Sequence, residues 1–120
     1  MVTVTLLGEP KSTQHVYKMT CRGGRFASMY MSKDGKDIKD SYQWQARSQV
    51  KISPLEGDLT VSMEIYMGTK RKCDIDNFNK LCFDAMSGVL WLDDSQIIEL
   101  HIIKSYDKKN PRILLSVSEL

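Results

Sequence analysis

Asp74 and Asp76 stand two residues apart, and Asp93 and Asp94 stand side by side further along the chain. In an extended segment Asp74 and Asp76 project to the same side, because side chains two apart on a strand share a face. Two carboxylates aimed together repel unless a cation sits between them, and a hard divalent ion with oxygen ligands suits that place best. Asp93 and Asp94 would complete the ligand set. Lys80, one helical turn after Asp76, can neutralise part of that charge or meet a phosphate. Four acids, one lysine and basic loops beside them match the needs of metal-assisted phosphodiester hydrolysis, in which the ion activates water and stabilises the leaving oxygen.

The same residues also have a plain structural reading. Asp76 is a good helix N-cap, Asp74 favours the positive end of a helix dipole, and Asp93-Asp94 makes an ordinary turn before a strand. An Asp-x-Asp motif also occurs in sugar-nucleotide transferases, but 120 residues are few for the nucleotide-binding fold those need.

The element that must position these acids is one helical pattern within Cys73 to Gln96. At 100 degrees per residue from Phe78, the side chains of Leu81, Cys82, Ala85, Met86 and Val89 cluster on one face, which is core. Asp76, Lys80, Asp84 and Ser87 form the opposite stripe, and Phe83 lies off the core stripe, half-exposed or against another subunit. Gly88 closes the helix and Trp91-Leu92 leads to the second acidic pair. A helix of about 12 residues is roughly 18 Å long, so Asp93-Asp94 leaves its far end. Five extended residues reach about 17 Å, so a return to Asp74 within one chain is tight, and closure across a dimer stays open.

Around that helix, Val2 to Leu7 alternates as a strand, and Gly8 to Lys33 reads as a long basic loop or arm with weak strand character at Phe26 to Met31. Asp34-Gly35 reads as a turn, and Lys36 to Ile52 as a helix with a thin apolar stripe, stopped by Ser53-Pro54. Leu59 to Met67 alternates without a fault and is the clearest strand. Ile97 to Lys104 is an apolar strand with both faces covered, and Ile113, Leu115 and Val117 mark a last strand. The helix between Leu59–Met67 and Ile97–Lys104 favours a parallel, right-handed crossover, and the final two strands read as an antiparallel hairpin. The expected fold is α+β, an α/β sandwich in a single domain over residues 1–120, with a mixed sheet of about four strands in the order β-α-β-α-β-β.

Composition narrows the partners. The 17 basic and 15 acidic residues leave a net charge of +2, too small to identify a nucleic-acid binder. Distribution says more: Lys11, Lys18, Arg22, Arg25 and Lys33 fall between Pro10 and Lys33 without an acid, Lys70-Arg71-Lys72 form a second cluster, and Lys104 to Arg112 a third. Such segregation suits a polyanion, and a cationic arm that orders on a phosphate backbone would account for the long N-terminal segment. Tyr17 and Phe26, flanked by basic residues, offer stacking surfaces for unpaired bases. Three cysteines without a close CxxC pair point to a reducing, cytoplasmic setting. No apolar run approaches the roughly 20 residues of a membrane span. A chain this short gains from a partner subunit, so a dimer is expected.

At the acidic stretch the sequence resembles the RusA family of Holliday-junction resolvases. The likeness is strongest from Arg71 to Lys104: basic residues before Asp-x-Asp-Asn, then Lys80, Phe83-Asp84-Ala85 in the helix, and Trp91-Leu92-Asp93-Asp94 before Gln96. The resemblance implies a small homodimeric endonuclease that uses Mg2+ or Mn2+ to nick four-way DNA junctions symmetrically in recombination and repair. It implies Asp74, Asp76 and Asp94 as catalytic metal-holding carboxylates with Asp93 beside them, Lys80 as the essential lysine, and Arg71 and Lys72 on DNA. Lys70, Arg22, Arg25 and Lys11 extend the expected DNA surface through their clusters. The chain departs from the pattern at Cys73, where better-known members carry arginine, and in the poorly matching segment Gly8 to Lys33. Two other readings are a non-catalytic DNA-junction-binding or protein-binding module in which the acids only cap and turn, and a related nuclease of flaps, single strands or other branched DNA.

Overall fold

The alternation of Leu59, Val61, Met63, Ile65 and Met67 buries one face of strand β4 (Leu59–Met67), each of these side chains being at most 7% exposed. Burial of a side chain of this size contributes about 1.5–3 kcal/mol, which makes β4 the axis of the core. The computed structural model describes residues 1–12, 17–22, 26–70, 74, 75 and 78–120, with 17–22 and 26–30 as backbone.

Six strands and two α-helices are described: β1 (Val2–Leu7), β2 (Tyr17–Arg22), β3 (Phe26–Met31), α1 (Lys33–Gln49), β4, α2 (Asn79–Met86), β5 (Ile97–Tyr106) and β6 (Arg112–Glu119). The main sheet has the order β1-β6-β4-β5, with β5 parallel to β4 and β6 antiparallel to both β1 and β4. The expected α+β class, the four-strand mixed sheet and the parallel crossover through a helix are all present.

Four expectations need correction. The final hairpin is absent: β6 is inserted between β1 and β4, and β5 lies on the other side of β4. The chain turns over the end of β4, where the Asp107 N–H donates to the Met67 carbonyl at 2.8 Å. The physical reason is burial. Ile113, Leu115 and Val117 are at most 1% exposed and belong at the centre of the sheet.

The second correction concerns β5, which is an exposed edge and not a covered strand: Ile98 is 60% and Ile103 58% exposed. The third concerns the N-terminal arm. The strand character expected at Phe26 to Met31 is present as β3, but it pairs with a second strand, β2, in the stretch expected as loop, and the two form an antiparallel sheet separate from the main one. The fourth is the start of α1 at Lys33. Ser32 accepts from the Gly35 N–H at 3.1 Å, so the Asp34-Gly35 turn signal is the first turn of a capped helix. The helix ends at Gln49, with Val50 already extended.

The two edges of the sheet differ. Along β1, the side-chain amides of Gln45 and Gln49 on α1 pair with the backbone: Thr5 N–H donates to Gln49 Oε1 at 2.8 Å and Leu7 N–H to Gln45 Oε1 at 2.7 Å. Gln49 Nε2 returns a bond to the Thr5 carbonyl at 2.6 Å. These bonds occupy groups that would otherwise template another strand. Among the described residues nothing covers β5 in this way.

Candidate active site

Helix α2 carries its apolar face as the spacing predicts, with Phe78, Leu81, Cys82, Ala85 and Met86 all buried. Phe83 is a correction. It is 8% exposed, and its ring meets Trp91 edge-on at 5.8 Å and 74°. The half-exposed position expected for Phe83 is filled by the chain's own turn after the helix. Burial also pushes the Cys82 thiol up to about 12, with the negative charge of Asp94 adding to the effect. That thiol belongs to the apolar face of α2 that packs into the core.

On the opposite stripe, Lys80 Nζ lies 3.6 Å from Asp84 Oδ2, an i, i+4 pair open to solvent. The stripe ends at Ser87, the C-cap residue, whose hydroxyl donates to Asp94 Oδ1 at 2.7 Å. Trp91 Nε1 donates to the same oxygen at 2.9 Å. Asp94 is thereby held, half-buried, at the C-terminal end of α2, while Asp74 is exposed before its N-terminal end.

The turn that carries Asp94 is built by specific residues. Gly88 takes φ +86, a backbone conformation open mainly to glycine, and its N–H donates to the Trp91 carbonyl at 2.7 Å. Trp91 is fully buried, and Leu55 brackets the turn by accepting from Leu92 and donating to Leu90. Asp93 caps the 3-10 turn Asp94–Gln96, and Gln96 closes a capping box by accepting from the Asp93 N–H at 2.8 Å. The Asp93 carboxylate accepts from the Ser95 hydroxyl and, at 3.1 Å, from the Ser95 N–H, and these bonds hold its pKa below the ordinary range.

The expected site residues thus fall in different places. Asp94 sits at the end of the Lys80–Asp84–Ser87 stripe, and Asp93 serves as a cap beside it. Asp76, Arg71, Lys72 and Arg25 lie outside the described residues, and Arg22 is placed only as the last residue of β2. Lys11 is exposed just past β1, and Lys70 Nζ stands over the Tyr106 ring at 5.3 Å, a cation–π contact at the end of β5. A second basic side chain, Arg112, lies over the Tyr66 ring at 3.9 Å and donates to Asp107 at 2.9 Å.

Among the described residues no three His, Cys, Asp or Glu side chains gather as a metal site. The donor chemistry of the described acids nevertheless suits a hard divalent ion. Both bonds to Asp94 fall on Oδ1, leaving Oδ2 without a hydrogen bond among the described residues, and Asp74 is exposed. Sequence reasoning missed Ser87, Trp91 and Gln96 as the residues that place the acid. One signal was available: a tryptophan buried whole needs an acceptor for its indole N–H, and Asp94 lies three residues on.

No helix among the described residues is long and apolar enough to cross a membrane. The comparisons agree with the layout of the chain. Over 92 residues it is 26% identical to the crossover junction endodeoxyribonuclease RusA of Escherichia coli strain K12, covering 76% of this chain and 77% of that relative. The corresponding protein of Enterobacteria phage 82 matches with the same identity and coverage. The crossover junction endodeoxyribonuclease RusA of Aquifex aeolicus strain VF5 is 29% identical over 76 residues, 62% of this chain and 60% of that relative. The family model for endodeoxyribonuclease RusA matches residues 8–118, from the end of β1 through the acidic turn to the last strand, and the chain therefore belongs to the RusA endodeoxyribonuclease family.

Proposed function

We propose that this protein is a Holliday-junction-resolving endonuclease, which cuts four-way DNA by paired symmetric nicks and depends on Mg2+ or Mn2+. The observation that carries the reading is the family match over residues 8–118, joined to a carboxylate, Asp94, held at the end of a stripe that includes Lys80. In this reading Asp74, Asp76 and Asp94 hold the metal, with Asp93 beside them. When bound, the ion supplies an activated water and stabilises the leaving oxygen. Lys80 stabilises negative charge on the scissile phosphate, and the Asp84 carboxylate beside it orients the ammonium in the resting enzyme. Lys70, Arg71 and Lys72 meet the DNA backbone, aided by Lys11, Arg22 and Arg25.

The enzyme acts as a homodimer in the cytoplasm. Two symmetric cuts require two sites related by a two-fold axis. The open edge of β5 supports a second copy as its partner, since an antiparallel strand can pair with its own symmetry mate, which would satisfy its free backbone edge and shield part of Ile98 and Ile103 from water.

The deciding experiment is junction cleavage by wild type and Asp76→Asn with and without Mg2+. The variant is expected to bind four-way junctions as wild type does and to lose Mg2+-dependent cleavage. Cleavage at the wild-type rate by Asp76→Asn would overturn the site assignment. Binding without cleavage by wild type in Mg2+ and Mn2+ would favour the junction-binding module, and a panel of flaps, single strands and linear duplexes separates a nuclease of other branched DNA.

A further inference from the structure

We propose that Ser87 and Trp91 are positioning residues for the Asp94 carboxylate, acting together to orient it as a metal ligand; the inference rests on the nuclease reading. Their two donors converge on one oxygen, Oδ1, at 2.7 and 2.9 Å. Those bonds fix the side-chain rotation and leave Oδ2 for another partner. Carboxylates that ligate metals are themselves held by hydrogen bonds of this kind, and such partners orient the ligand before the ion arrives.

The two donors reach Asp94 from different parts of the fold. Ser87 is the C-cap of α2, so its hydroxyl is placed by the helix. Trp91 is 0% exposed and packed edge-on against Phe83 of the same helix, so its indole N–H is placed by the core. An isolated indole would be satisfied by any one neutral acceptor. A carboxylate that also takes a hydroxyl bond on the same atom exceeds that need and has a defined orientation. The Phe83–Trp91 contact thus connects the apolar face of α2 to an acid at the end of its polar stripe.

The test uses the full chain and Mn2+ as the probe. Ser87→Ala and Ser87→Thr are titrated with Mn2+ without DNA by electron paramagnetic resonance, assayed for junction cleavage against Mn2+ concentration, and melted. Asp94→Asn, which keeps an acceptor for the indole but removes the charge, is the reference for a lost ligand. Ser87→Ala is expected to melt near wild type while its Mn2+ half-saturation rises roughly tenfold in both titrations. Ser87→Thr, which keeps the hydroxyl, restores the wild-type value, and this rescue separates positioning from a structural effect. Trp91→Phe, which keeps an aromatic side chain but loses the indole N–H, is expected to shift the same two titrations. If wild type binds Mn2+ and cleaves while a folded Ser87→Ala titrates identically, the positioning role fails alone. If wild type neither binds Mn2+ nor cleaves, both this role and the nuclease reading fail.

Discussion

Gln96 Nε2 donates to the carbonyl of Leu55 at 2.8 Å, across 41 residues of sequence, and this bond ties the acidic turn to the segment before β4. The same amide donates to the Gly57 carbonyl at 2.9 Å, and Oε1 accepts from the N–H groups of both Leu92 and Asp93 at 2.8 Å. One side chain thereby closes four backbone groups around the turn that carries Asp93 and Asp94.

Gln96→Leu keeps the approximate size of the side chain and removes all four bonds. Losing a satisfied partner leaves backbone groups to find water, so the expected loss of stability is on the order of 2 kcal/mol. Cleavage should fall by more than this loss of folded protein explains, because the turn that holds Asp94 is loosened. Urea unfolding and single-turnover cleavage on the same preparation check the two effects. A variant with wild-type stability and rate would show that the Gln96 bonds are dispensable and that the turn is held by its other contacts, those of Trp91, Ser87 and Leu55.

The acid limb of stability should report on Asp107. The Arg112 guanidinium donates to Asp107 Oδ2 at 2.9 Å and, with the N–H groups of Asn110 and Lys109, holds this carboxyl below its ordinary value of 3.8. A depressed folded pKa means that the contribution is present above the unfolded value and is lost as pH falls through the folded one. Wild type should therefore exceed Asp107→Asn in urea midpoint at neutral pH, with the gap closing as pH drops below 3.8. A gap constant down through that range would show that the Arg112 contact contributes no charge-dependent stability.

Substitution on the β5 edge should separate assembly from folding. Ile98 and Ile103 are 60% and 58% exposed, so Ile98→Lys and Ile103→Lys should change monomer stability by no more than about 0.5 kcal/mol. If a second copy pairs along this edge, the double variant sediments as a monomer where wild type sediments as a dimer, and paired nicking of a junction gives way to single nicks. A wild-type dimer that survives both lysines places the two-fold contact on another surface.

Much of the fold was legible because its signals are local. The faultless alternation of Leu59 to Met67 reflects one buried face of a central strand, and the stripe Phe78, Leu81, Cys82, Ala85, Met86 reflects one buried face of a helix. Both are read from period alone. Strand order was not legible in the same way. The short turn before β6 suggested a hairpin, yet β6 pairs with β1 and β4, because its buried residues require a partner strand on each side. The Asp34-Gly35 signal misled for a related reason: it cannot be told from a first helical turn until Ser32 is seen to cap it.

The candidate site divides along the same line. The sequence by itself determined the chemistry available, with acids at Asp74, Asp76, Asp93 and Asp94 and a lysine at Lys80, together with the family they point to. Only the tertiary structure decided that Asp94 is held at the C-terminal end of α2 by Ser87 and Trp91, and that Asp93 is spent on capping a turn. The reason is physical. A residue type sets which bonds a side chain can make, but the bond that forms depends on burial of Trp91 and on Leu55 and Gln96, whose meeting is a long-range product of packing.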